Sequence, residues 1–226
     1  MTILIATGLR REARLMAGPG VTVIAGGGDA ARLERELDAL ARSASFILSS
    51  GLAGALDPSL KVGDVVIATE ISADPQRGRG FSRLLVGAVP GSHTGRIIGS
   101  DVPLATAADK AALLAQTGAL AVDMESHVAA RVAERHGLPF AVLRVISDMA
   151  DTTLPAAALA GMRPDGGIAI GAILASLARS PGQIPALIRT GRDAEKAFRV
   201  LGRVHDTLRG LGIGRLDPGQ FALDVG

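Results

Sequence analysis

Glu125 and Asp148 stand out because acids of this kind suit proton transfer and hydroxyl binding, and both lie on a largely apolar framework. The run AVDMESHVAARVAERHGLPFAVLRVISDMADTT, residues 121–153, carries them. Residues 140–146, rich in β-branched and aliphatic side chains, read as a buried strand. Ser147, Asp148 and Asp151 follow at its carboxyl end, where open α/β sheets bind ligands. A third acid, Glu12, comes just after the first apolar segment, in Gly8-Leu-Arg-Arg-Glu12. Each acid also has a plainer reading. Asp148 and Ser147 can cap the turn that follows them. Glu12, Asp123 and Glu125 can sit in first helical turns, where the dipole favours negative charge by about 0.3–1 kcal/mol. For Asp123 that plainer reading is preferred.

Strands and helices must alternate to place these acids. Residues 2–7 and 21–25 read as short apolar strands, the second ended by Gly26, Gly27 and Gly28. Residues 30–42 read as a helix with Leu33, Leu37 and Leu40 on one face. Residues 46–49 form the next strand, entering a glycine turn at 51–54, and 65–68 another. The polar stretch 72–80 reads as a mobile surface loop, with Arg77, Arg79 and Arg83 in solvent. Further on come a strand over 96–100, a helix over 105–116, a helix running to Arg135, and terminal helices over 166–176 and 183–211. Alternation of this kind predicts a layered α/β domain.

At 226 residues the chain suits a single domain, 1–226, that buries about 70% of its unfolded surface. The absence of cysteine excludes disulfides and thiol chemistry and fits a reducing compartment, so a cytoplasmic location is expected. No secretory signal pattern opens the chain, and no run reaches the roughly 20 apolar residues of a membrane span. Lys and Arg total 24 against 22 Asp and Glu, so a pI near 9.6 reflects an excess of two charges and is no nucleic-acid signature. With no Trp or Tyr and five Phe, the stacking platforms of single-strand binders are also missing. The four histidines, His93, His127, His136 and His205, are scattered, and no metal or cofactor is expected.

Gly8-Leu-Arg-Arg-Glu12, Ser50-Gly-Leu-Ala-Gly54, Leu60-Lys-Val-Gly-Asp64, Val122-Asp-Met-Glu125 and Ile146-Ser-Asp-Met-Ala-Asp151, in that order and spacing, resemble the nucleoside phosphorylase superfamily. Within it the chain is similar to the methylthioadenosine/S-adenosylhomocysteine nucleosidases and looks most like the hopanoid-associated phosphorylase-like branch. The resemblance covers roughly residues 3–175. It implies a three-layer α/β/α sandwich with a central mixed sheet, a homo-oligomer, and cleavage of a ribosyl N-glycosidic bond in an adenosine-type nucleoside. That reaction makes the ribose oxocarbenium-like and leaves an anionic purine. It needs an acid at the base, hydrogen bonds to the sugar and a nucleophile. The resemblance gives Asp148 the proton for purine N7, beside Ser147, and Glu125 the ribose 2′ and 3′ hydroxyls. It sets Met124 under the sugar and makes Glu12 the activator of water.

Two positions depart from the family's pattern. At the anion site Ser49, Ser50, Gly51 and Gly54 offer amides and hydroxyls, and Arg10 or Arg11 offers charge, so inorganic phosphate is a candidate co-substrate. Yet Leu52 stands where relatives carry a small hydroxyl residue, and Ser49 where phosphate users place an arginine. Hydrolysis and phosphorolysis both stay open. At residues 100–104, where nucleosidases stack an aromatic ring on the purine, Pro103 and Leu104 must serve. His127, two residues past Glu125, is read as facing the 5′ side of the ribose or as a structural or solvated helix residue.

The segment from about 183 to 211 carries an apolar stripe of Leu187, Ile188, Ala194, Phe198, Leu201, Val204 and Leu208, with arginines on other faces. Packing on the domain or on a second subunit is the plainer expectation. Peripheral contact with an anionic membrane is the alternative, in keeping with a lipid-linked substrate such as adenosylhopane. A non-catalytic nucleoside or lipid carrier is the rival from outside enzymology.

Overall fold

The side chains of the first strand divide between two faces, and the whole architecture follows from that division. In β1 (Thr2–Thr7), Ile3 and Ile5 join one buried cluster while Leu4 and Ala6 join another, as the two-residue period of a strand requires. The computed structural model describes residues 2–69, 75–163 and 165–212, with 75–80 described as backbone alone. Among these residues the strands β1, β2 (Val21–Ala25), β3 (Ala44–Ala55), β4 (Val65–Ala68), β5 (His93–Gly95), β6 (Ile97–Gly99), β7 (Ala121–Asp123) and β8 (Phe140–Asp148) form one mixed sheet. Its order is β2-β1-β3-β8-β4-β5, with β7 paired to the far end of β3 and β6 paired to β7. β1, β3 and β8 run parallel, whereas β4 and β7 run antiparallel to their central neighbours.

Helices cover both faces and complete an α/β/α sandwich. α2 (Ala30–Ala41) and α5 (Ser126–His136) cover one face through Leu33, Leu37, Val128 and Val132. The other face is covered by α1 (Arg10–Met16), α3 (Pro75–Ala88) and the long α8 (Ile184–Gly210), through Met16, Phe81, Leu85, Leu201 and Val204. α4 (Ala107–Thr117), α6 (Ala156–Ala160) and α7 (Ile170–Arg179) complete the helices, with a 3-10 turn at Pro181–Gln183.

Several local expectations change in the fold. The glycine turn expected at 51–54 is strand: Gly51, Leu52 and Ala53 continue β3 against Arg144, Val145 and Ile146 of β8. Pairing with β8 outweighs the local turn tendency, and small residues are required because side chains from β8 and α1 lie against this stretch. The loop expected at 72–80 starts α3 at Pro75, since Phe81 and Leu85 supply a buried face and proline suits a first turn. Arg83 is exposed as expected, whereas residues 72–74 and the side chains of Arg77 and Arg79 lie outside the described residues. Residues 166–169 are not helical, and α7 begins at Ile170. The later part of the stripe on α8 is spent on the core: Phe198, Leu201, Val204 and Leu208 are buried, each stabilising by roughly 1.5–3 kcal/mol, whereas Ile188 is exposed. No helix among the described residues is long and apolar enough to cross a membrane.

Candidate active site

The carboxyl end of β1 feeds a short turn into α1, and the third helical position there is Glu12. Its side chain folds back over the turn. Oε2 accepts from Thr7 Oγ1 at 2.6 Å, from the Gly8 amide at 2.9 Å and from the Leu9 amide at 2.7 Å. Oε1 accepts from the Leu52 amide of β3 at 2.8 Å. Both readings of Glu12 therefore meet in one side chain. It caps its own helix, and it is buried at a strand end with a fixed orientation.

The neighbouring acids share a guanidinium. Arg144, in the middle of β8, is fully buried. Its Nε donates to Asp123 Oδ2 at 2.7 Å, its Nη2 donates to Ser49 Oγ at 2.6 Å, and Nη2 lies 3.6 Å from Glu125 Oε2. Nη1 has no hydrogen-bond partner among the described residues. It faces Gly51, where an added Cβ would lie 2.8 Å from Nη1 and 2.9 Å from Glu12 Oε1. Only glycine lets both groups come this close to the strand. Asp123 departs from the plain first-turn reading. Its Oδ1 accepts from the amides of Glu125 and Ser126 at 2.9 and 2.8 Å, which caps α5, while Oδ2 holds Arg144.

Glu125 stands at the N-terminal edge of α5, and an added Cβ on Gly8 would come within 2.8 Å of its Oε1. Burial pushes its carboxyl up to about 8; Arg144 opposes the shift, and Asp123 and Glu12 reinforce it. The free protein at pH 7 thus holds a proton on Glu125. Donor hydroxyls favour the charged form of an acceptor carboxyl, so binding of a ribose diol should expel that proton. Calorimetric titration with nucleoside at pH 7, in buffers of different ionisation enthalpy, should register proton release approaching one per site. The release should fade above about pH 9, a unit past the value, and vanish in Glu125→Gln. Binding without release would remove Glu125 from the sugar.

Asp148 ends β8 and is bound on both oxygens. Oδ1 accepts from Ser147 Oγ at 2.9 Å, and Oδ2 accepts from the ammonium of Lys110. Ser147 Oγ also lies 3.2 Å from the Ala53 carbonyl oxygen. Met124 lies between Glu125 and the glycine loop, its terminal methyl near Gly28. Leu104 packs against Leu56, Ala119 and Val122 beneath the 100–106 segment, while Val102 is 64% exposed. His127 Nε2 pairs with Asp101 Oδ1 at 2.8 Å.

The residues read as one anion pocket do not gather. Ser49 and Gly51 sit with Arg144 and Glu12. Ser50 points to the opposite face of the sheet, where its hydroxyl meets His205 Nε2 of α8 at 2.9 Å; successive strand residues must diverge in this way. Burial holds the His205 imidazole down to about 4, so it is neutral at physiological pH. Arg11 is engaged by α8 as well, pairing with Glu195 Oε2 at 2.7 Å and lying 4.1 Å above the Phe198 ring. Arg10 pairs with Asp165 at 3.0 Å. The sequence reading missed Arg144 and Lys110. For Arg144 a signal existed, a lone charge inside the buried strand FAVLRVIS; for Lys110, one cation in an alanine-rich helix is a faint one.

Residues 79–178 match the phosphorylase superfamily. The 5′-methylthioadenosine/S-adenosylhomocysteine nucleosidase of Staphylococcus saprophyticus is 30% identical over 132 residues, which is 47% of this chain and 58% of that relative. The chain thus matches little more than half the length of this curated relative. Among solved structures, the MTA/SAH nucleosidase of Streptococcus pneumoniae with 8-aminoadenine superimposes with a TM-score of 0.63 at 18% identity, covering 92% of this chain and 99% of that one. The S-adenosylhomocysteine nucleosidase of Streptococcus pyogenes with 5-methylthiotubericidin gives 0.62 at 19%, covering 93% and 97%. The futalosine hydrolase of Helicobacter pylori gives 0.56 at 20%, covering 66% and 88%. The fold of this chain is the one these nucleosidases share.

Proposed function

We propose that the chain is a nucleosidase that hydrolyses the N-glycosidic bond of an adenosine-type nucleoside and releases adenine. The observation that carries this reading is the convergence on Gly51 of Glu12 Oε1, an acceptor, and of the unpartnered Nη1 of buried Arg144, a donor. A water bridging these two groups would donate to Glu12 and accept from Arg144. Glu12 takes its proton as it attacks the anomeric carbon, Glu125 binds the ribose diol as the ring gains positive charge, and Asp148 gives a proton to the leaving purine. Ser147 steers Asp148, and Met124 lines the sugar.

Two observations favour water over phosphate as the nucleophile. Arg11 and Ser50 are engaged by α8, so the residues best suited to bind a dianion are turned away. Glu12 and Glu125 also lie side by side at Gly8, and once a bound ribose has ionised Glu125 the two carboxylates repel an anion. Adenine release from adenosine, methylthioadenosine and adenosylhopane should therefore proceed without phosphate and yield free ribosyl sugar. Glu12→Gln should lower kcat by about 10²–10⁴-fold, the usual range for a general base, while Arg11→Ala changes it little. Release that requires phosphate, with ribose 1-phosphate as product and Arg11→Ala the more damaging change, would establish a phosphorylase. Silence of the wild type on all three substrates would revive the carrier.

For the 5′ substituent the reading extends to an apolar, lipid-linked group such as adenosylhopane. Exposed apolar side chains favour it: Met162, Ile168, Ile170 and Leu174 lie on and before α7, next to the turn where the Gly166 carbonyl accepts from the Arg10 amide at 3.1 Å. Residues 166–192 contain three arginines and no acid, a composition suited to anionic lipid. Membrane contact is thereby moved from the later part of the α8 stripe, which is buried, to α7 and the start of α8, where Ile184 and Ile188 are exposed.

A further inference from the structure

Lys110 is a buried cation that the reaction just described does not use. It occupies the first turn of α4, and its side chain has no solvent exposure against 13% for Asp148. An ammonium carries three N–H donors, and three acceptors meet them: Asp148 Oδ2, the Met149 carbonyl at 2.9 Å and the Thr152 carbonyl at 3.1 Å. The start of α4 is itself tied to this segment. The Leu154 amide donates to the Ala105 carbonyl at 2.8 Å, and the Ala107 amide donates to Thr153 Oγ1 at 3.2 Å. Buried ammonium groups are retained only where pairing offsets their desolvation. Here the pairing is with the one carboxyl group assigned to the leaving base.

We propose that Lys110 is a positioning residue for Asp148, holding and stabilising the carboxylate that Asp148 becomes when it gives its proton to the purine. This rests on the reading of Asp148 as the acid. In the step, the Asp148 O–H bond breaks and a purine N7–H bond forms. The electron pair of the glycosidic bond goes to the purine, and the negative charge appears on Asp148. Lys110 and Ser147 then donate to that charge in the arrangement seen here. Donors fixed beforehand around a developing charge lower the barrier without reorganising. Lys110 also anchors Asp148 to the 149–152 turn, so the carboxyl group is aimed by α4 as well as by its own strand.

The test is a cycle of Lys110→Gln and Asp148→Asn in the full chain, read by single-turnover release of labelled adenine. Gln keeps a donor for one carbonyl while removing the charge. Lys110→Gln should lower the release rate by about 10- to 100-fold, part of the 10²–10⁴ that a general acid supplies, with KM changed by less than about threefold, as expected of a residue assigned to Asp148 and not to the nucleoside. In the Asp148→Asn background the same change should cost almost nothing further. Losses that multiply in the double variant, or an unaffected single variant, would overturn the proposal. Lys110→Ala provides the second reading. Ethylammonium should restore its release rate and tetramethylammonium, which has no N–H, should not. Equal response to both salts also overturns it. A wild type that releases no adenine at all defeats the functional reading first, and this inference with it.

Discussion

Asp148→Asn should lower adenine release by about 10²–10⁴-fold, the range attached to a lost general acid, while nucleoside binding stays within about threefold of wild type. The asparagine keeps the shape of the side chain and still accepts from Ser147 or Lys110, both within hydrogen-bond reach, so the pocket should hold its form. What it cannot do is carry an acidic proton to the purine. Stopped assays of free base, alongside calorimetric binding of a slowly cleaved nucleoside, separate the two effects. Equal loss of binding and turnover would mean that Asp148 grips the base without protonating it. Full activity would move the acid elsewhere and leave the residue as the turn cap that its sequence position also allows.

Much of this site could be read from the chain because burial and strand ends leave local marks. But for Arg144 the run 140–146 is apolar on both faces, which only a central strand tolerates, and the polar residues after it mark the strand's carboxyl end. Glu12 was legible for the same reason, since an apolar strand must end before a helix can begin. Its two roles could not be separated by sequence, because one carboxyl group caps α1 and faces Gly51 together.

The parts that were not legible depend on contacts between distant residues. Gly51 to Gly54 has turn composition, yet β8 pairs with it, in register to Ala53 and past a one-residue shift at Gly54, and tertiary pairing overrides local preference. Ser49 and Ser50 look equivalent as neighbours. Only the sheet's pleat shows that one hydroxyl meets Arg144 and the other His205. The basic amphipathic segment 183–211 suited a packed helix first and a membrane surface as the alternative, and the apolar face of α1, β3 and β8 takes up its later part. Lys110 approaches Asp148 across 38 positions, a separation that helical periodicity cannot foresee.

Arg144→Met should be the most damaging single change to stability, about 3–5 kcal/mol, the scale for removing one partner of a buried ion pair. Methionine can fill much of the volume, so the loss is chiefly electrostatic. Asp123 loses the guanidinium that binds it at 2.7 Å, and Glu12 and Glu125 lose the cation they share. Two observations would confirm that origin. Arg144→Met/Asp123→Asn should recover part of the loss in urea denaturation, because the bared carboxyl group is then neutral although its amide caps on α5 weaken. Arg144→Lys should recover little, since a point charge cannot reach Asp123 and Ser49 together as the fork does. If Arg144→Met folds well enough to assay, hydrolysis should still fall by about 10²–10³-fold, the loss typical of one fixed donor to a reacting oxygen, because no donor then stands opposite Glu12 at Gly51. A stable variant with undiminished turnover would show that the attacking water needs no donor from β8. The approach of Glu12 and Arg144 to Gly51 would then be a consequence of packing and not a nucleophile site.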